Sequence, residues 1–309
     1  MAYNFKETMN KRERFAPGHR MCAGCGGAIA VRNVLRGLHE EDEAVVVNAT
    51  CCLEVSTFMY PYTAWEDSYI HTAFENAAAT LSGVETAYHS LKKQGKLADN
   101  YKFIAFGGDG GTYDIGFQSL SGAMERGHDL VYVCYDNGAY MNTGTQRSSA
   151  TPMFADTTTT PVGKLSQGKP QYRKDLAAII ADHNIPYVAQ TTLIGNLSDL
   201  HKKSERAIYT EGPAFLNIMA PCPRGWRYES EEVLHICKMA VETCYWPMFE
   251  VVEGAWQLTY EPKKKLPIEE FLKTQGRFKH LFKPGNEWTL ELYQKEVDRR
   301  WEELLKRCR

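Results

Sequence analysis

The sequence lacks the features that would tie it to a membrane or to nucleic acid. No unbroken apolar run in its 309 residues is long enough to cross a bilayer, and residues 1–7 lack the apolar centre of a secretory signal. A formal net charge of −2 gives no reason to expect binding to nucleic acid or to an anionic membrane. These absences, together with an ordinary composition, predict a soluble globular protein of the cytoplasm.

Cysteine, in contrast, is abundant, because the chain has nine. A reducing compartment disfavours structural disulfides, so this number indicates metal or redox roles for some of them. Cys22 and Cys25 form a C-x-x-C pair, which places two sulfurs on one short turn. That arrangement suits an iron–sulfur cluster, but zinc sites and thioredoxin-like redox motifs share the spacing, so the pair alone leaves all three open.

Apolar, β-rich runs alternate along the chain with segments of helical character. The β-rich runs cover residues 44–48, 101–106, 130–135, 187–190 and 214–219. The helical segments cover residues 28–38, 74–93, 115–126, 173–183 and 198–211. This alternation predicts an α/β fold with a mostly parallel sheet and helices on both faces.

The alternation stops near Trp246. We therefore predict one ligand-binding domain over residues 1–248 and a C-terminal extension over residues 249–309. The extension contains a charged helical segment at residues 288–307. It is expected to pack on the domain or on a partner subunit.

Glycine and polar residues follow two of the predicted strands at the point where each strand ends. Gly108, Asp109, Gly110 and Gly111 follow the second run, and Asn137 follows the third. Glycines let a backbone approach a ligand closely, and carboxylate and amide oxygens are ligands that Mg²⁺ takes while it also holds phosphate. The sequence therefore predicts a site for a metal and a diphosphate at this edge of the sheet.

Cysteines follow two other predicted strands. Because ligands collect outside the carboxyl ends of parallel strands, the loops after the first and fifth runs are expected to border the same site. Cys52 and Cys222 then complete, with Cys22 and Cys25, the four thiolates that hold a [4Fe–4S] cluster. Cys51 is an alternative third ligand, since adjacent residues of an extended segment point in opposite directions.

Seven segments of the chain together carry a family resemblance. They cover residues 18–26, 49–55, 60–65, 71–79, 108–110, 136–144 and 146–152. With them the sequence resembles the thiamine-diphosphate-binding β subunit of 2-oxoacid:ferredoxin oxidoreductases, and in particular the pyruvate branch, from about residue 18 to residue 226. The resemblance implies the thiamine-diphosphate-binding fold, with the domain that holds the diphosphate.

The resemblance also implies roles for matching positions. The side chains of Asp109 and Asn137 and the carbonyl of Ala139 would bind Mg²⁺. Asn142 and Thr143 would lie beside the thiazolium and the 2-oxo acid. The diphosphate would contact the backbone of Gly108, Gly110 and Gly111, and the cluster would be held by Cys22, Cys25, Cys52 and Cys222. The family usually has glycine where this chain has Cys51, a departure that leaves the third cluster ligand open.

As a function, the resemblance implies oxidative decarboxylation of a 2-oxo acid, pyruvate by default, with transfer of the acyl group to coenzyme A. Electrons would pass through the cluster to ferredoxin. A glutamate from another subunit would activate the thiamine ring, although Glu54 and Glu75 are alternative carboxylates within this chain. The chain is therefore expected to be inactive without its partner subunits.

Three alternatives stay open. A relative of the pyruvate branch acts on oxalate without coenzyme A, and Cys51 marks a difference in the region of the pocket. A non-redox thiamine-diphosphate decarboxylase or carboligase needs the diphosphate site but not the four cysteines. A zinc or iron–sulfur module that only relays electrons leaves the loops at Asp109 and Asn137 unexplained.

Overall fold

The computed structural model describes residues 4–97 and 101–309. Its strands are β1 (Glu43–Ala49), β2 (Phe58–Met59), β3 (Tyr62–Thr63), β4 (Ser68–Thr72), β5 (Tyr101–Gly108), β6 (Val131–Asp136), β7 (Val162–Gly163), β8 (Ser166–Gln167), β9 (Tyr187–Thr192), β10 (Ala214–Met219), β11 (Phe249–Val252) and β12 (Ala255–Leu258). Its α-helices are α1 (Phe5–Asn10), α2 (Gly26–Leu35), α3 (Cys52–Thr57), α4 (Ala77–Lys93), α5 (Phe117–Glu125), α6 (Leu176–Ala181), α7 (Ser198–Tyr209), α8 (Pro223–Trp226), α9 (Val233–Glu242), α10 (Glu269–Leu272) and α11 (Glu287–Arg307). A π-helical turn covers Gly110–Ile115, and 3₁₀-helical turns cover Ser230–Glu232 and Gly276–Phe282. None of the helices within these ranges is long and apolar enough to cross a membrane.

Eight of these strands form one sheet, in the order β12-β11-β9-β10-β6-β5-β1-β4. Each neighbouring pair from β9 to β4 is parallel, whereas β11 pairs antiparallel with both β9 and β12. Each of the five β-rich runs found in the sequence is a strand of this sheet. The predicted α/β class with a mostly parallel sheet is confirmed.

The central strands are buried on both faces, which explains their nearly continuous apolar sequences. Every residue of β6, β9 and β10 is buried, and successive residues of a strand point to opposite faces of the sheet. Other elements of the chain must therefore pack on both faces of the sheet, as is typical of parallel sheets. Two packed helix pairs, α2 with α7 and α4 with α5, contribute to this packing.

The sequence did not indicate three strands at the edges of the sheet. β4 is a short edge strand in which only Thr72 is buried, so it lacks an apolar run. β11 and β12 form a hairpin whose first strand pairs with β9, with Val251 opposite Val188. The C-terminal segment thus begins with two strands of the main sheet before it continues over the domain.

The remainder of the C-terminal segment packs on this chain's own domain. Helix α11 buries Tyr293, Val297, Trp301 and Leu304, which recur at helical spacing and form one face. The ring of Tyr293 meets the rings of Phe154, Tyr172, Tyr245 and Phe278. These contacts fix the long helix against the domain.

Replacement of Val251 by alanine tests whether β11 is part of the core. Its side chain is 2% exposed, so Val251→Ala should lower the free energy of unfolding by about 2 kcal/mol. Neighbouring Val252, which is only partly buried, provides the matched control, and Val252→Ala should cost less than about 1 kcal/mol. Urea unfolding measures both values. Equal losses would show that β11 is not packed as described.

Candidate active site

Four chemically distinctive loops follow four consecutive strands of the sheet. β10, β6, β5 and β1 are neighbours in that order. Met219 lies opposite Asp136, and Gly108 lies opposite Tyr135. Because the strands are parallel, the loops that leave their carboxyl ends meet at one edge. Four predicted site residues therefore lie on adjacent loops, one after each strand in this order: Cys222, Asn137, Asp109 and Cys52.

A cavity lies at this edge of the sheet, between the turn of Gly108, Gly110 and Gly111, which we call the glycine turn, and the aromatic rings of Phe74 and Tyr140. A Cβ atom at Gly110 would overlap the ring of Tyr140, and one at Gly111 would lie 2.9 Å from the carbonyl oxygen of Phe74. Glycine is therefore required for this close approach of the backbone. The cavity is lined by Thr50, Cys51, Cys52, Phe74, Gly108, Asp109, Gly110, Gly111, Tyr135, Asn137, Ala139, Tyr140, Met141, Asn142 and Thr143.

Asp109, Asn137 and Ala139, which we call the metal cradle, direct polar atoms at one another. One end of the Asn137 amide lies 2.9 Å from Oδ1 of Asp109 and 2.9 Å from the carbonyl oxygen of Ala139. With the amide nitrogen at that end, it donates to both oxygens. With the amide oxygen there, it lies 2.9 Å from each of the other two oxygens. This is about the spacing of neighbouring ligands in an octahedron with bonds of about 2.0–2.1 Å. The donor set therefore fits Mg²⁺.

The carboxyl group of Asp109 is only 1% exposed, and its environment favours the neutral form. Burial, followed by the nearby charge of Asp136, raises the pKa of Asp109 well above its usual range. The Ser148 hydroxyl and the Asn137 N–H donate to this carboxyl group and act in the opposite direction. A cation bound in the metal cradle would stabilise the ionised carboxylate.

A buried ion pair lies behind the same loop. Oδ2 of Asp136 accepts hydrogen bonds from the Tyr113 hydroxyl, at 2.7 Å, and from the guanidinium of Arg173. Oδ1 of Asp136 accepts from the N–H of Gly138 at 3.1 Å. Arg173 thus compensates this second buried carboxylate, which in turn fixes the loop that carries Asn137. Sequence reasoning missed Arg173 and Tyr113, because neither lies in a motif or at a strand end.

The adjacent thiols of Cys51 and Cys52 have different surroundings. Cys51 is buried, and its Sγ donates to the carbonyl oxygen of Ala49 at 2.9 Å and to Oδ1 of Asn48 at 3.4 Å. Cys52 is partly exposed. Burial raises the pKa of the Cys52 thiol, and neighbouring thiols, among them Cys222, raise it as well. Both residues line the cavity, but Cys52 is the one whose thiol is affected by the thiols of Cys222 and Cys25.

The C-x-x-C turn contacts the loop that carries Cys222. The N–H of Gly26 donates to the carbonyl of Pro221 at 2.9 Å, and a Cβ atom on Gly26 would lie 2.7 Å from the Pro221 nitrogen. Burial raises the pKa of the Cys25 thiol to about 11, and the thiols of Cys222 and Cys22 contribute to the rise. The three thiols therefore lie close enough to influence one another electrostatically.

Within residues 4–97 and 101–309, no three His, Cys, Asp or Glu side chains lie close enough to hold one ion. In a [4Fe–4S] cluster each of four cysteines binds a different iron atom, so its ligands stand farther apart than those of one zinc ion. All nine cysteines are free thiols, and those at the strand ends and the C-x-x-C turn that reach solvent are Cys22, Cys25, Cys52 and Cys222.

The remaining predicted residues divide between the cavity and its surroundings. Asn142 and Thr143 are exposed and line the cavity. Neither Glu54 nor Glu75 is among its lining residues. The carboxylate of Glu54 is buried and lies 3.5 Å from Nε2 of His71. No carboxylate of this chain except Asp109 lines the described cavity, so a ring-activating glutamate from another subunit stays a prediction.

Residues 49–218 match the family model of the thiamine pyrophosphate enzyme C-terminal TPP binding domain, thiamine pyrophosphate being thiamine diphosphate. The chain is 53% identical over 292 residues to the pyruvate synthase subunit PorB of Thermotoga maritima, covering 93% of this chain and 90% of that protein. It is 50% identical over 290 residues to PorB of Methanocaldococcus jannaschii, covering 93% of this chain and 95% of that protein.

A relative with another substrate in its name is also similar. The chain is 42% identical over 301 residues to the ketoisovalerate oxidoreductase subunit VorB of Pyrococcus abyssi, covering 97% of this chain and 94% of that protein. The fold is similar to that of 2-oxoglutarate:ferredoxin oxidoreductase from Magnetococcus marinus, with a TM-score of 0.57 and 22% identity. That alignment covers 72% of this chain and 69% of the other.

Replacement of Gly110 by alanine tests the cavity. The added Cβ would overlap the Tyr140 ring, and relief of this overlap should weaken binding of thiamine diphosphate about tenfold or more. Gly83 in α4 is the matched control, because no atom lies within 4 Å of a Cβ built there. Gly83→Ala should raise stability by about 0.5–1 kcal/mol and leave binding unchanged. Isothermal titration calorimetry measures binding, and unchanged affinity in Gly110→Ala would contradict the assignment of the glycine turn.

Proposed function

The chain belongs to the PorB family of pyruvate synthase subunits and carries the thiamine pyrophosphate enzyme domain, and we propose that it is the cofactor-binding subunit of a pyruvate:ferredoxin oxidoreductase. The proposed reaction is oxidative decarboxylation of pyruvate to acetyl-coenzyme A and carbon dioxide. Electrons leave through a [4Fe–4S] cluster to ferredoxin. The observation that carries this proposal is the metal cradle beside a glycine turn, with cysteine loops on the neighbouring strand ends.

The residues of this chain divide the cofactor site between them. When bound, thiamine diphosphate supplies the carbon nucleophile that attacks the 2-oxo carbon and holds the electron pair left by carbon dioxide. The backbone of Gly108, Gly110 and Gly111 binds the diphosphate in this proposal, and the metal cradle binds Mg²⁺. Asn142 and Thr143 orient the substrate, since they line the same cavity.

Cys22, Cys25, Cys52 and Cys222 hold the cluster in this proposal. The support is their position on adjoining loops, the contact between the C-x-x-C turn and the Cys222 loop, and the mutual effect of these thiols on their pKa values. Cys52 is assigned as third ligand because the Cys51 thiol already donates to Ala49 and Asn48. A cluster beside the cavity would accept, one at a time, the electrons that stay on the cofactor after carbon dioxide has left.

The complete enzyme requires other chains. The similar proteins from Thermotoga maritima and Methanocaldococcus jannaschii are named as subunits. We assign the glutamate that activates the thiamine ring to a partner subunit. Ferredoxin and coenzyme A are the proposed electron acceptor and acyl acceptor, and the cytoplasm is the proposed compartment. Oxalate remains the second candidate substrate, because Cys51 lines the cavity at a position where the resembled family usually has glycine.

Exchange of the adjacent cysteines for serine tests the cluster assignment. Cys52→Ser should lose the cluster, because serine does not replace a thiolate well on iron, and iron content should fall with visible absorbance. Cys51→Ser is the matched control and should retain both, since its thiol faces Ala49 and Asn48. Iron and sulfide analysis of the full complex measures the outcome. A colourless, zinc-containing wild-type complex would contradict the redox function, and loss of iron from Cys51→Ser alone would reverse the ligand assignment.

Substrate assays of the complete complex test the reaction. We expect reduction of ferredoxin with pyruvate that depends on coenzyme A, and little with oxalate, 2-oxoisovalerate or 2-oxoglutarate. Turnover of oxalate without coenzyme A would favour the second candidate.

Replacement of Asp109 by alanine tests the metal site. Asp109→Ala should lower binding of thiamine diphosphate in the presence of Mg²⁺ at least tenfold, because the only carboxylate of the metal cradle is removed. Unchanged Mg²⁺-dependent binding in Asp109→Ala would refute the metal site.

A further inference from the structure

One buried turn, residues 148–151, contacts both halves of the metal cradle. One half is Asp109, which follows β5, and the other is Asn137 with Ala139, which follow β6. The turn lies between the loop that carries Asn142 and the segment that leads to Lys169. Ser148 and Thr151 are both fully buried polar residues. The family resemblance includes this segment, but neither the predicted metal ligands nor the diphosphate-binding glycines lie in it.

Ser148 holds the half of the cradle that follows β5. Its hydroxyl donates to Oδ2 of Asp109 at 2.5 Å. Oδ1 of the same carboxylate is the oxygen that lies 2.9 Å from the Asn137 amide. A carboxylate pinned at one oxygen can rotate little about its last bond, so the Ser148 hydroxyl fixes the direction of Oδ1.

Thr151 holds the half of the cradle that follows β6. Its hydroxyl donates to the carbonyl of Gly138 at 2.8 Å and accepts from the N–H of Ser148 at 2.9 Å. Gly138 lies between Asn137 and Ala139 in the chain. A fixed Gly138 carbonyl therefore orients the peptide that leads into Ala139, whose own carbonyl is a member of the cradle.

The turn is itself anchored on its other side. The side chain of Lys169 is 1% exposed, and its Nζ donates to the carbonyl of Thr151 at 2.6 Å and to that of Ser149 at 3.3 Å. The Ser149 hydroxyl and N–H both donate to the carboxylate of Asp114, which is outside the cradle. The turn is thus hydrogen-bonded on both sides and connects the end of β5 with the end of β6.

We propose that Ser148 and Thr151 are positioning residues that set the distance between the two halves of the metal cradle and so determine its affinity for Mg²⁺ bound to a diphosphate. This inference rests on the proposed function and deepens it. Groups that orient metal ligands without touching the metal commonly change metal affinity 10–100-fold when removed. Neither side chain contacts the cofactor in this account.

Calorimetric titration of Mg²⁺ at fixed thiamine diphosphate tests the proposal on the full complex. Ser148→Ala should raise the Mg²⁺ concentration for half-maximal cofactor binding about tenfold, whereas Ser148→Thr, which keeps the hydroxyl, should stay within about threefold of wild type. Ser149→Ala is the matched control. It removes a hydroxyl from the same turn, so it should lower the Tm of the metal-free complex but leave the Mg²⁺ requirement unchanged.

The outcomes separate this inference from the proposed function. Failure of the wild-type complex to bind thiamine diphosphate with Mg²⁺ would refute the proposed function itself. Normal wild-type binding together with an unchanged Mg²⁺ requirement in Ser148→Ala would overturn only the positioning role. An equal rise in Ser149→Ala would also overturn it, because it would indicate general loosening of the turn. If Ser148→Ala does not fold, Thr151→Val compared with Thr151→Ser provides the same contrast.

Discussion

Asp109 presents a carboxylate at the end of β5 with almost no access to water, one strand away from the second buried carboxylate of Asp136. Two carboxylates in such a place are unfavourable unless each is compensated. Asp136 is compensated by Arg173 and the Tyr113 hydroxyl. Asp109 accepts hydrogen bonds from the Ser148 hydroxyl and the Asn137 N–H, and the more distant charge of Arg173 also favours its ionised form. A cation between the oxygens of the metal cradle would add to this compensation, which supports the proposed metal site.

The fold provides this arrangement because its strands are parallel and adjacent. Parallel strands end at the same edge, so the loop after each strand adds one component to a shared site. β5 contributes the carboxylate and the glycine turn, and β6 contributes the amide and carbonyl oxygens. β1 and β10 contribute cysteines on either side. A cofactor that releases electrons and a group that accepts them can therefore be held within one edge of a sheet.

Much of this site could be predicted from sequence because its signals are local. Gly108–Asp109–Gly110 and Asn137 each follow an apolar run that could hardly be anything but a buried strand, and the C-x-x-C pair is visible without a structure. The contacts of Ser148, Thr151 and Arg173 could not be predicted, since each joins residues that lie 13 to 39 positions apart. β11 was missed because a four-residue strand after a proline has too little pattern, and the surroundings of Cys51 depend on the fold around Asn48.

The most direct test of the central claim is electron paramagnetic resonance of the full complex with Mn²⁺ in place of Mg²⁺, since both metals prefer octahedral oxygen ligands. With thiamine diphosphate present, the account predicts a bound Mn²⁺ with hyperfine coupling to the phosphorus nuclei of the diphosphate. That coupling should disappear in both Asp109→Ala and Asn137→Ala. The same phosphorus coupling in these two variants as in wild type would show that the metal and the diphosphate bind elsewhere, and would contradict the account.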